Sequence, residues 1–201
     1  MAKRSVRGDL LRRALAAEAA RIMVEHGVDD FLFAKRKAAE RLGVSDHAVL
    51  PRNTEIEAAI EEHHRLFGAD THADELADQR RHAVAAMRLL SDFEPRLVGP
   101  VLAGTASPHN EIELHLFADT PEAVVLQLME QGVRHRVAER RVRVMRDEPR
   151  SFPSIQFASG RYDVDAVVFP RDGIRQAPFS PVDGRPMRRA TCAEVEALVA
   201  G

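Results

Sequence analysis

An α+β fold is predicted, with an N-terminal helical region followed by a mixed sheet that has one crossover helix. Two observations carry this. Apolar residues keep a helical period up to about residue 90, and after Pro95 the chain breaks into short β-rich runs separated by Gly, Pro and Asn turns. In the first part, Leu10, Leu11, Ala14, Ala17, Ala20, Ile22 and Met23 define a helix from Asp9 to about His26, stopped by Gly27. A second helix starts at Phe31 or Ala34 and runs to Leu42 before Gly43. A third takes Asn53 or Thr54 as N-cap, and a fourth runs from about His72 to Leu90. In the second part, strands are expected at Leu97–Ala103, Glu111–Phe117, Arg141–Met145, Ile155–Ala158 and Tyr162–Phe169. Between the second and third strands, Thr120 as N-cap, Pro121 at the first helical position and Gly132 as stop mark one clear helix. A Pro/Gly/Arg loop from Pro170 to Pro186 leads to a last helix over about Thr191–Val199. The change of texture divides the chain into a helical region, 1–92, and an α/β domain, 93–201.

With 201 residues, 45% of them apolar, the chain can bury a substantial core, and its net charge of −2 gives no block-wise pull toward nucleic acid or membrane. Cys192 is the only cysteine, which excludes an intramolecular disulfide and any Cys-rich zinc site. No apolar run suits a signal peptide or a membrane span, so a soluble, cytoplasmic protein without a membrane partner is expected.

Chemistry concentrates in Gly104–Phe117, GTASPHNEIELHLF. On a strand its alternation sets His109, Glu111, Glu113 and His115 on one face and Ile112, Leu114 and Leu116 on the other. Two carboxylates one residue apart suit a hard divalent ion, and the histidines open a manganese or zinc alternative. The solvated face of an ordinary strand has the same alternation. The parts that follow add to the pair: a helix, then YDVDAVVF with Asp165 and, on the same face, Asp163.

This order of parts resembles the nucleotidyltransferase superfamily, with its polymerase-beta-like fold, over roughly residues 95–170. Leu102-Ala103-Gly104-Thr105 matches the family's glycine turn, Glu111-Ile112-Glu113-Leu114 its paired carboxylates, and Asp165 its third. The resemblance implies that Glu111, Glu113 and Asp165 are catalytic and hold Mg2+, or Mn2+, with Asp165 positioning or deprotonating the attacking hydroxyl. It implies that Gly104 and Thr105 cradle the phosphates of an NTP, ATP by default, and that the acceptor is an RNA end, a protein hydroxyl or a small alcohol. Three features depart from the pattern. Glu111 stands where the family prefers aspartate, the spacer from Gly104 is short, and Pro108 within it has no N–H. A non-catalytic module that binds RNA or a partner protein on the same scaffold is the alternative.

Arg136, Arg140, Arg141, Arg143, Arg146 and Arg150 crowd one short reach, interleaved with Glu139, Asp147 and Glu148. Arg141 and Arg143 share a parity and are selected as the nucleotide-binding pair. KRKAAERLGVS resembles the start of a helix-turn-helix, but Pro51 stops any recognition helix begun at Ser45. His63, His64 and His72 read as solvated, Cys192 as structural, and Arg175, Arg185, Arg188 and Arg189 as able to close over a phosphate.

Overall fold

The computed structural model describes residues 2–45, 49–144 and 149–200. It contains seven α-helices and one five-stranded sheet among them, which is the α+β class expected. Met145, Arg146, Asp147, Glu148 and the stretch just after Ser45 lie outside the described residues.

One compact unit comprises the chain up to Ala73 together with Thr105–His109 and Pro181–Asp183. Its helices are α1 (Ala2–His26), α2 (Phe31–Arg41) and α3 (Asn53–Phe67). They bury Leu15, Ala19 and Ile22 against Ala34 and Ala38 of α2 and Ile56 and Ile60 of α3. The alanines remove bulk at the crossings and let the helices approach closely. Helix α2 starts at the earlier of the two expected positions because Asp30 caps it, its carboxylate accepting from the N–H groups of Leu32 and Phe33 at 2.7 and 3.1 Å. Neither Asn53 nor Thr54 caps α3. The N-cap is Arg52, whose N–H donates to Glu55 at 2.7 Å, while the Asn53 amide donates to the Pro181 carbonyl at 2.7 Å.

The other unit holds Asp74–Gly104, Asn110–Ser180 and Gly184–Gly201. The compact units thus divide inside α4 (Ala69–Leu89) rather than at residue 92, because Ala83, Met87 and Leu90 are buried and the Gln127 side chain donates to the Leu89 carbonyl at 2.6 Å. The strands are β1 (Arg96–Val98), β2 (Ile112–Phe117), β3 (His135–Arg143), β4 (Pro149–Ser159) and β5 (Tyr162–Phe169), in the order β1-β2-β5-β4-β3. The pair β2–β5 is parallel and every other pair antiparallel. Helix α5 (Gly99–Ala103) follows β1, and α6 (Pro121–Glu130) is the crossover that a parallel pair requires. Helix α7 (Cys192–Ala200) is capped by Thr191, whose hydroxyl accepts from the Glu194 N–H at 3.4 Å.

Three strand expectations are corrected, one of them β4, which begins at Pro149, six residues before the expected Ile155. The first strand ends at Val98, and Leu102 and Ala103 are helical. Strand β3 begins six residues earlier than Arg141, at His135. Its Val137 and Val142 have opposite parity, so no apolar alternation announces it.

Replacing Asp30 with alanine removes the α2 cap, and the chain is expected to lose about 1 kcal/mol in urea unfolding. Asp30→Asn, which keeps an acceptor, recovers most of that.

Candidate functional site

The sheet register aligns Val98, Glu113, Asp165, Gln156 and Arg136 in one row across all five strands. Glu113 and Asp165 are direct partners in the parallel pair, so their side chains leave the same face. Glu111 lies one residue before β2. Asp165 is only 1% exposed and accepts a hydrogen bond from the Ser154 hydroxyl. The three expected carboxylates do come together, and what they share is Arg140. Its guanidinium lies 3.1 Å from Asp165 and 3.9 Å from each of Glu111 and Glu113. Only the Asp165 contact is within hydrogen-bonding distance, so Asp165 anchors the guanidinium and the glutamates add charge.

Arg136, not Arg140, stands in the Asp165 row. Arg140 is four residue pairs farther along the β3–β4 hairpin and still reaches the acids, as the strong twist of a long two-stranded ribbon allows. Arg141 and Arg143, selected from the sequence, have the other parity and are exposed away from the acids. Asp163 is exposed at the start of β5 and takes no part.

Magnesium or manganese is implied by the family resemblance, and three carboxylates are the right donor chemistry for either ion. The arrangement does not fit. Among the described residues no three His, Cys, Asp or Glu side chains are placed to hold a metal ion, and the centre of the acidic group is taken by a guanidinium.

The glycine turn also moves. Gly104 ends α5, with φ +93° and its N–H donated to the Pro100 carbonyl at 2.8 Å. That amide is spent on closing the helix at its negative end, which disfavours a phosphate. Thr105 is buried, and its carbonyl lies 3.3 Å from Nε2 of His64. The glycine that ends a strand beside the carboxylates is Gly99, at φ +70°, where a Cβ would come within 2.8 Å of the Glu113 carboxyl carbon. From there the spacer to Glu111 is longer and has room for the helical turn of α5.

The histidines do not form a metal site with the acids. His109 precedes β2 and packs at Gly27, where a Cβ would lie 2.8 Å from its own. His115 is 4% exposed, and its Nδ1 accepts a hydrogen bond from Nε of Arg189 at 3.0 Å. Burial, with Arg189 beside it, pushes the imidazole down to about 3, so it is neutral at ordinary pH. Arg189 turns inward over Phe117 and Phe169, 5.0 and 5.4 Å from their centroids, and donates to the Gly173 carbonyl at 2.9 Å. Burial and Arg96 push its pKa down to about 10, so it stays charged. It is therefore a pin for the C-terminal loop. His64 is not solvated either: its ring stacks on His72 at 3.7 Å, and burial with His72 lowers its pKa. Arg140 and Gly99 are the two residues sequence reasoning missed. Gly99, directly after the apolar pair Leu97-Val98, was the available signal for one of them.

No protein-family model matches the chain, and no curated protein matches it. Among solved structures it is similar to a cytoplasmic RNA terminal U-transferase, at 17% identity and a TM-score of 0.33, over 60% of this chain. The chain spans 36% of the length of that protein.

Gly99→Ala is expected to cost about 1–2 kcal/mol for the left-handed backbone and, in addition, to push Glu113 off Arg140. Gly132→Ala, at φ +66° with nothing near its Cβ, carries only the backbone part. Urea denaturation of the two variants measures the difference.

The His115 shift has a definite sign. Between pH 6.5 and about 3 the unfolded imidazole is protonated and the native one is not, so stability falls as pH falls through that window, on the order of 1 kcal/mol per pH unit. His115→Gln keeps an acceptor for Arg189, and its stability profile between pH 6.5 and 4.5 is expected to be flatter than that of the wild type. The His64 shift has the same sign and adds to the slope.

Proposed function

We propose that this chain is a nucleotidyltransferase-like module that binds RNA through the outward arginines of β3, and that its acidic face does not carry metal-dependent transfer. The observation that carries the reading is the seat of Arg140. A cation of the chain itself already sits among Glu111, Glu113 and Asp165. Arg141 and Arg143 are exposed, share one strand face and stand about 7 Å apart along it. Planar guanidinium forks on such a spacing suit phosphate oxygens. Glu139 on the same face limits affinity, and the balanced net charge of −2 limits non-specific attraction at a distance.

One observation favours a second reading, that of a magnesium-dependent transferase moving a nucleotide from an NTP, ATP by default, to an acceptor. The three carboxylates that the family resemblance requires, two from parallel neighbouring strands and Glu111 from the residue before β2, all lie within 4 Å of Arg140. In that reading Asp165, held by Ser154, is the group that would position an attacking hydroxyl.

Calorimetric titration separates the two. Manganese with a non-hydrolysable ATP analogue is expected to give the same heats with wild type and with a Glu111→Gln, Glu113→Gln variant. Heats that vanish in the variant favour the transferase. Single-stranded RNA is expected to bind wild type with an affinity that falls with salt, and an Arg141→Gln, Arg143→Gln variant to lose about 1.4 from the log–log salt slope. An unchanged slope overturns the RNA reading.

A further inference from the structure

We propose that Arg140 is the resident cation of the acidic face, taking the place a divalent ion would hold and excluding it. The proposal deepens the reading of that face given above and rests on it. Asp165 is 1% exposed on the strand between β2 and β4, and a polar group that deep needs partners. Its partners are the Ser154 hydroxyl and the Arg140 guanidinium at 3.1 Å. Arg140 approaches Glu111 and Glu113 as well, at 3.9 Å each, so one side chain answers three negative groups from two strands and a preceding loop.

Size decides the competition. Magnesium binds its oxygens at about 2.0–2.1 Å and demands near-octahedral geometry. A guanidinium is a wide, flat cation, and with it seated there no three His, Cys, Asp or Glu side chains among the described residues are placed to hold such an ion. Ion entry therefore requires Arg140 to leave, and leaving strips Asp165 of its nearest charge. Arg140 is 40% exposed on the coiled hairpin, so a substitution there is accommodated without filling or emptying the core.

The experiment is Mn2+ binding followed by the loss of its free-ion paramagnetic resonance signal, with the full chain and with neither nucleotide nor RNA present. Wild type and Arg140→Lys, which keeps a cation, are expected to leave the ion free. Arg140→Gln is expected to bind it at least tenfold more tightly, and a second change, Glu113→Gln, to reverse the gain. The proposal is overturned if wild type binds Mn2+ as tightly as Arg140→Gln, or if Arg140→Gln binds no better than wild type. Should Arg140→Gln fail to fold, Mn2+ must restore its circular dichroism and melting transition, and no restoration overturns the proposal equally. RNA binding by Arg141 and Arg143 is measured with Arg140 intact, so either reading can fail alone.

Discussion

A carboxylate buried within a sheet has to be matched by a cation, and in the sheet unit that requirement is met by Asp165 and Arg140. Arg140 is 40% exposed, so the pair is only half buried and water offsets part of the about 3–5 kcal/mol that breaking a fully buried pair costs. Several features of the unit are consistent with avoiding that outcome. The Ser154 hydroxyl on β4 donates to an Asp165 oxygen. The β3–β4 hairpin is long, nine and eleven residues, and a long two-stranded ribbon twists strongly enough to bring Arg140 over a face where flat register would have put Arg136.

The same face of the sheet is divided along its strands. Where β2 and β5 begin, it is acidic and holds Arg140. Toward their ends it is aromatic, with Phe117, Phe152 and Phe169 in contact, and the cation there is Arg189. The two arginines are stabilised by different means. Arg140 is held by full negative charges and remains partly in water, whereas Arg189 is held by ring faces, two carbonyls and a neutral imidazole. The second arrangement requires His115 to stay deprotonated, because a protonated Nδ1 accepts nothing. That is why a histidine which looks like a surface ligand from its alternation is in the structure a buried acceptor.

Much of the architecture was legible because it depends on local chemistry. Thr120-Pro121 at the start of α6, Thr191 with Glu194 at the start of α7, and Gly27 and Gly43 after α1 and α2 act within a turn of their own positions. The acids were legible too, since strand alternation is a local property and Glu113 and Asp165 each sit mid-strand. Less visible were features whose cause is distant in sequence. Local pattern points to Gly104 rather than Gly99, because the two precede the acids in similar contexts and only the fold shows which one faces Glu113. Arg141 and Arg143 were chosen over Arg140 because β3 has a valine on each parity, and nothing local says which side meets the sheet's acids.

By itself, then, the sequence determined the class of fold, every described α-helix but α5, the five strands with boundaries shifted by up to six residues, and the three carboxylates of the candidate site. These follow from side-chain periodicity and capping, which act over a few residues. Tertiary structure alone decided which cation those carboxylates hold. Arg140 and Asp165 are on strands separated by β4, and their meeting depends on the pairing register and the coil of a hairpin, neither of which any local pattern encodes.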